Sequence, residues 1–434
     1  MKTALNAAVI GSGGREHAVI RKLMTSSGVS RLTAIPGNAG IARDVPCAGI
    51  DALDVDAVVR YCCDTKTDYV VITPDDPLAL GMADALEAVG IRAFGPVKSA
   101  ARLESSKIFA KNLMKKYNIP TAEYETFSAS AAALDHARKS FAAGKKALVV
   151  KADGLALGKG VTVCFSIDET EAAIRGAMDE KRFGSSGENI VIEEYLTGPE
   201  VSVLSFCDGN TVVPMVSAMD HKRALDGDEG PNTGGMGCIA PNPFYTPEIA
   251  DLCMKTIFIP TVEAVKREAA PFKGCLYFGL MLTQDGPKAI EYNCRFGDPE
   301  TQAVLPLLES DLLSVMTACT DGSLTADMVR FRQGAAACVV AASRGYPAAY
   351  KTGFPVEGLE AAEADGNVSV YCAGVKLKDG ILVTSGGRVL SVSATSDTLE
   401  QAVSDAYRAI EKIQFENKYF RTDIGGKGLT RRRQ

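Results

Sequence analysis

Ala289-Ile290-Glu291-Tyr292-Asn293-Cys294-Arg295-Phe296-Gly297-Asp298-Pro299-Glu300 is the stretch on which the reading of this chain turns. It follows Gln284-Asp285-Gly286, a turn dipeptide setting that makes residues 287 onward the return strand of a hairpin. Side chains on a strand alternate with period two, so Glu291 and Asn293 share a face and Arg295 continues the row. A carboxylate and an amide carbonyl are hard oxygen donors suited to magnesium. The guanidinium beside them could meet a phosphate or a carboxylate. An exposed polar face would account for the strand alone, but less well for Asp298 and Glu300 directly after it.

Upstream, Asp220-His221-Lys222-Arg223 precedes Gly230-Pro231-Asn232-Thr233-Gly234-Gly235-Met236-Gly237. The basic cluster could bind an anionic substrate, and the glycines could offer backbone amides to an oxyanion. A solvated loop has the same composition. Ile192-Glu193-Glu194-Tyr195-Leu196 ends an apolar strand on two carboxylates. Lys151-Ala152-Asp153-Gly154-Leu155-Ala156-Leu157-Gly158-Lys159-Gly160 is not a Walker A loop, because Asp153 and Gly160 stand where Gly and Ser or Thr are required. It reads as a flexible loop between strands at 147–151 and 161–165, with lysines placed for phosphates or simply solvated.

Residues 1–104 alternate strands and helices, the pattern of a parallel sheet of βαβ units. Three turns gather at its carboxyl edge, where such sheets bind ligands. The first, Gly11-Ser12-Gly13-Gly14-Arg15-Glu16-His17, opens a helix and suits a phosphate, or serves packing alone. Pro36-Gly37-Asn38 and Pro74-Asp75-Asp76-Pro77 are the others. A dinucleotide fingerprint fails twice: Glu16 replaces its third glycine, and the second strand lacks a terminal acid. Farther on, helices are expected near 106–117, 168–178 and 398–413, with a hairpin at Asp208-Gly209-Asn210 and a turn at Ser385-Gly386-Gly387.

With 434 residues the chain exceeds one ordinary core, and four units are expected: 1–104, 105–120 with 197–329, 121–196, and 330–434. A net charge of -6 argues against a nucleic-acid binder, and Arg431, Arg432 and Arg433 read as a frayed end. Twelve scattered cysteines without a C-x-x-C, beside only His17, His136 and His221, point away from zinc and disulfides and toward a reducing compartment. No stretch reaches the length of a membrane span, so the cytoplasm is expected.

Together GSGGREHA, PGNAG, KADGLALGKGV, IEEYL, DHKR, GPNTGGMG, EYNCRFGDPET, SGGRVL and RTDIG resemble the ATP-grasp superfamily and, within it, the phosphoribosylamine–glycine ligase family. The resemblance runs nearly end to end and in the family's order. It implies an α/β architecture: an N-terminal parallel-sheet (pre-ATP-grasp) domain, an ATP-grasp core with a small α+β lid, and a C-terminal mixed α/β domain. It implies ATP with Mg2+ or Mn2+, and glycine and 5-phosphoribosylamine as substrates, in a monomer or weak dimer. Lys107 and Lys151 would contact the ATP phosphates, under a loop carrying Gly154, Gly158, Lys159 and Gly160. Glu193, Glu194, Tyr195 and Leu196 would lie along the adenine, and Glu200 at the ribose. Glu291 and Asn293 would hold the metal. Gly13, Gly14, Arg15, Glu16, Asn38, Pro74 and Asp75 would face phosphoribosylamine. Gly234, Gly235, Met236, Gly237, Arg295 and Asp298 would face the acyl-phosphate region, with Arg295, Lys159, Asp220 and Lys222 as the catalytic set.

Three positions depart from the family pattern: Ser12 for Asn, Thr73-Pro74-Asp75-Asp76 for a Gly-Pro-Glu-Ala type turn, and Phe278 for a small residue. The implied chemistry is phosphorylation of glycine by ATP, then attack of the amine on glycyl phosphate, with no enzyme nucleophile. Three alternatives remain: a related ATP-grasp carboxylase subunit, a dinucleotide oxidoreductase, and a non-catalytic nucleotide sensor. GPNTGGMG, Glu16 and the retained Glu291–Asn293 pair count against them in turn.

Overall fold

The computed structural model describes residues 4–156 and 158–432; Leu157 of the glycine loop and Arg433 of the basic tail lie outside the described residues. Arg431 and Arg432 belong to the helix Gly426–Arg432. Val29–Pro36, Leu5–Gly11, Tyr69–Ile72 and Arg92–Phe94 form, in that order, a parallel sheet. Its inner strands are buried through Ala7, Ala8, Val9 and Ile10 and through Tyr69 to Ile72, as a sheet covered on both faces requires. Register pairs Gly11 with Pro36 and Ile10 with Ile72, so the three expected turns leave the same edge.

An antiparallel sheet of Val212–Pro214, Glu200–Asp208, Lys273–Thr283 and Gly286–Asn293 occupies the centre. Both expected hairpins are there. Opposite Glu291 stands Gly279, and a bulge follows between Gly279 and Leu280. A Cβ at Gly279 would sit 2.8 Å from Glu291 Cγ, so glycine is what lets the carboxylate lie across its neighbour strand. Phe278, large where the family pattern is small, is fully buried against Phe258 and Tyr292, ring centroids 4.1 and 5.7 Å away. It fills the core behind the sheet.

Tyr124–Phe127, Ile190–Glu194, Leu148–Ala152 and Val161–Cys164 make a second antiparallel sheet, backed by the helices Ser130–Ala142 and Ile167–Met178. Leu134, Leu148, Val150, Ile174, Ile190 and Ile192 give this unit a core of its own. By contrast, one core joins Val9 and Phe94 of the first sheet to Leu204 and Phe206 of the central one and to Leu312 and Cys338 beyond.

The last sheet runs Met219–Asp220, Gly237–Ala240, Ala335–Ser343, Arg388–Ser396 and Val368–Cys372, with Lys418–Tyr419 also on Ala335–Ser343. The division read from sequence, which sets 197–329 with 105–120 in the central unit, does not anticipate this pairing. Met219–Asp220 is the edge strand of the C-terminal sheet, and Gly237–Ala240 stands between it and Ala335–Ser343. The second pairing joins residues about a hundred positions apart, and local pattern carries no trace of it.

His221 pins that seam. Its Nε2 accepts the Gly425 amide at 3.2 Å, and its Nδ1 faces the Gly237 carbonyl at 3.2 Å. Both partners suit the neutral ring, and burial, then Arg421, pushes the pKa down to about 4. With an unfolded value near 6.5, the contribution is complete above that pH and drains away as pH falls toward 4. Urea unfolding at pH 7.5 and 4.5 should therefore differ by on the order of 3 kcal/mol more in the parent than in His221→Asn. Equal acid sensitivity in the two proteins would refute the assignment.

Candidate functional site

The two lysines expected at phosphates sit on opposite sides of the glycine loop's root. Lys107 opens the helix Lys107–Lys116, whose Ser106 cap accepts from the Phe109 amide. Asp153, the residue that broke the Walker pattern, locks that helix to the loop. Its Oδ1 accepts from Ser106 Oγ (3.0 Å) and the Ile108 amide (2.8 Å). Lys107 Nζ donates to the Gly154 carbonyl at 3.4 Å. Lys151 Nζ reaches across to the central sheet, donating to the Ile290 carbonyl at 2.9 Å. The loop is held at its base by Ser186, whose Oγ donates to the Leu155 carbonyl, and Gly158 uses φ +73°. Lys159 is exposed on it, with its amide on the Ala156 carbonyl.

Glu193 is not offered to a ligand. It is buried, with Lys151 Nζ 3.0 Å from one oxygen and Lys111 Nζ 3.1 Å from the other. The physical reason is charge: two ammonium groups under the sheet need a carboxylate between them. Lys111 also donates to Thr121 Oγ1 at 2.7 Å. Glu194 turns the other way, to Lys288 at 3.2 Å and the Glu123 amide at 3.1 Å. Tyr195 is 41% exposed and edge-on to Phe165, leaving the backbone of Tyr195 and Leu196 as the surface at this hinge.

Glu291, Asn293 and Arg295 do share one face. Arg295 Nη2 donates to Asn293 Oδ1 at 3.1 Å, and Lys222 Nζ stands 3.8 Å from Glu291 and 2.9 Å from Glu200. Burial works to raise the Glu291 pKa, but Lys222, Lys151, Lys107 and Arg295 outweigh it and hold the carboxylate below its usual range. Glu200 and Glu291 in turn outweigh burial and keep Lys222 charged. Among the described residues no cluster of three or more His, Cys, Asp or Glu could hold a metal. One carboxylate and one amide oxygen are the donor set of an ion that takes its remaining oxygens from phosphates and water.

At the first glycine turn the structure corrects two expectations. Glu16 is 2% exposed, and its carboxylate accepts from the Gly13 amide and from Arg15 Nε at 2.6 Å, with Thr73 Oγ1 at 2.7 Å. The anion at the start of the helix Gly14–Met24 is thus the chain's own. Thr73, a departure from the family pattern, supplies one of Glu16's partners. Asn38 is likewise consumed by backbone, donating to the Ser12 and Cys372 carbonyls and accepting from the Gly40 and Ile41 amides. Both residues build the pocket wall. Gly13, Gly14, Arg15, Pro74 and Asp75 stay at the edge, with Arg15 Nη1 on the Phe296 carbonyl at 3.1 Å.

Arg388, within SGGRVL, is absent from the site expected from sequence. Its guanidinium donates to the carbonyls of Gly234 (2.6 Å) and Asp298 (2.8 Å) and to Asp298 Oδ2 (2.9 Å). The C-terminal sheet is thereby bolted to both loops. Asp298 is the near neighbour of Gly13, where a Cβ would lie 3.5 Å from its Oδ2. Gly235, at φ +110°, leaves room for Pro299 and for Asp220 Oδ1, which is buried and unpartnered. Burial and the nearby Glu300 push the Asp220 pKa well up. Met236 is fully buried, which corrects its place among ligand-facing residues, and Gly237 packs on the Cys338 carbonyl. Only Gly234 and Gly235 of that run border the site.

The phosphoribosylglycinamide synthetase models match residues 5–104 (N domain), 105–301 (ATP-grasp (A) domain) and 336–427 (C domain). The phosphoribosylamine–glycine ligase of Rhodopirellula baltica is 45% identical over 98% of this chain and 98% of its own. A trifunctional purine biosynthetic protein adenosine-3 of Gallus gallus is 45% identical over 97% of this chain, which spans 42% of that longer protein. The crystal structure of phosphoribosylamine–glycine ligase from Thermotoga maritima, 35% identical, superposes with a TM-score of 0.83 over 97% of this chain and 100% of that one. A biotin carboxylase from Campylobacter jejuni shares the fold, with a TM-score of 0.75 at 13% identity over 96% of this chain and 93% of its own.

Removing the Glu16 carboxylate strands the Gly13 amide and the Arg15 guanidinium. Glu16→Ala should cost about 2–4 kcal/mol in urea unfolding, against about 0.5 kcal/mol or less for the exposed Ser12→Ala. Matching midpoints for the two variants would show that the clamp does not hold the turn.

Proposed function

The chain belongs to the phosphoribosylglycinamide synthetase family, and we propose that it makes glycinamide ribonucleotide from glycine and 5-phosphoribosylamine by way of glycyl phosphate, using the groups gathered above. It is an ATP-dependent carbon–nitrogen ligase of purine biosynthesis and uses ATP with a divalent metal. The observation that carries the residue assignments is the row Glu291, Asn293, Arg295, with Lys222 against it and both loop lysines within its field.

We read the metal as magnesium or manganese, held by Glu291 and Asn293. When bound, it would neutralise charge on the transferring phosphoryl group. Lys107 and Lys151 would hold the ATP phosphates, with residues 154–160, Lys159 among them, closing over them. The Tyr195 and Leu196 backbone would read the adenine, and Glu200, now on Lys222, would take the ribose hydroxyls. A glycine carboxylate oxygen attacks the γ-phosphorus and ADP leaves. The amine nitrogen then attacks the acyl carbon, phosphate leaves, and the nitrogen loses its proton. Arg295 would face the acyl phosphate. Asp220, driven toward its neutral acid form, could donate a hydrogen bond to the developing oxyanion. Gly13, Gly14, Arg15, Pro74, Asp75 and Asp298 would frame phosphoribosylamine.

The family resemblance implies a monomer or weak dimer. All twelve cysteines are free, which supports the cytoplasm. Among the described residues no helix is long and apolar enough to cross a membrane.

Phosphate release from ATP should need both glycine and freshly generated 5-phosphoribosylamine, and Glu291→Gln should lower kcat by about 10²–10³-fold. Turnover with a different carboxylate or amine would sink the substrate assignment. An unimpaired Glu291→Gln would sink the metal site.

A further inference from the structure

Glu104 lies in the last turn of the helix Lys98–Ser105, 190 positions before Cys294, and no motif contains it. Its side chain is 8% exposed. One carboxylate oxygen lies 3.1 Å from Arg295 Nη2, and the other accepts the Cys294 amide at 2.6 Å. It therefore grips the strand's end twice, once through the Arg295 side chain and once through the backbone between Asn293 and Arg295. Arg295 spends its other Nη on the Phe296 carbonyl at 3.2 Å, and its Nε is buried without a partner. A planar guanidinium fixed at both terminal nitrogens has a fixed remaining edge. Asp75 of the first sheet's edge and Leu155 of the glycine loop line the same narrow crevice as Glu104.

We propose that Glu104 is a positioning residue for the ligation: it orients Arg295, and through it the Asn293 oxygen, without touching substrate. The proposal rests on the roles given above to Arg295 and Asn293. A counter-ion needed only for burial would have no reason to hold the Cys294 amide as well. Glu104→Gln keeps the shape, and with its one carbonyl oxygen accepting the Cys294 amide it turns an NH2, a donor, toward the guanidinium. Arg295 then loses its anchor, and small misplacements at a reacting centre cost about 10²-fold in rate.

The test is a double-variant cycle in the full chain, with ATP, magnesium, glycine and 5-phosphoribosylamine. Glu104→Gln should lower kcat by about 10²-fold while the KM for ATP stays near the parent's. Combined with Arg295→Lys, it should be no worse than Arg295→Lys alone, because Glu104 acts through that side chain. Full activity of Glu104→Gln beside a crippled Arg295→Lys overturns the proposal and leaves the site reading standing. So does a double variant that multiplies the two defects. An unimpaired Arg295→Lys overturns the Arg295 reading and the proposal with it. If Glu104→Gln melts early, the same cycle run with Glu104→Asp decides by the same criteria.

Discussion

Phe94, Phe206 and Phe296 meet in the core with ring centroids 5.8 to 6.4 Å apart. One comes from the first sheet, one from the central sheet and one from the turn after the strand Gly286–Asn293. Each such pair adds about 0.5–1.5 kcal/mol beyond its burial. More is at stake than stability, because the Phe296 carbonyl receives Arg15 from one domain and Arg295 from its own strand. The ring holds the turn in the core, and the turn fixes where Arg15 and the row Glu291, Asn293, Arg295 stand relative to one another. Glu104 and Arg388 then brace the same segment from the connector helix and the C-terminal sheet.

The parallel sheet was legible because its strands carry short apolar runs, Ala7–Ile10 and Tyr69–Ile72 above all, with Gly or Pro close behind. The hairpins at 208–210 and 284–286 were legible from their turn residues. The row Glu291, Asn293, Arg295 followed from strand periodicity alone. What the sequence hid is long-range: the Gly237–Ala240 strand pairs with Ala335–Ser343, and Glu104 meets Arg295. Glu16, Asn38, Glu193 and Met236 lie in recognisable motifs, but a motif does not say whether a side chain faces a ligand or its own chain. Each of the three polar ones turned inward because a backbone amide, a carbonyl or an ammonium group there needed a partner.

The unit at 121–196 behaves differently from the rest because its core is separate. Its polar ties to the central sheet are few and specific: Thr121 on the Ala289 carbonyl, Lys151 on the Ile290 carbonyl, Lys288 on Glu194. These are hydrogen bonds and ion pairs that ATP phosphates could exchange for their own. A continuous apolar seam would have to be torn instead. A lid that closes over nucleotide needs this kind of boundary.

Arg15 and Arg388 flank the glycine turn, yet neither is vacant: Arg15 lies on Glu16 and Arg388 on Asp298. The helix start between them is likewise filled by Glu16. The recess is therefore close to electroneutral before any ligand arrives. A phosphate entering it would trade places with carboxylates already in residence, and attraction at a distance would contribute little. Selection there would rest on shape and hydrogen-bond count, and ambient salt would have little purchase on it.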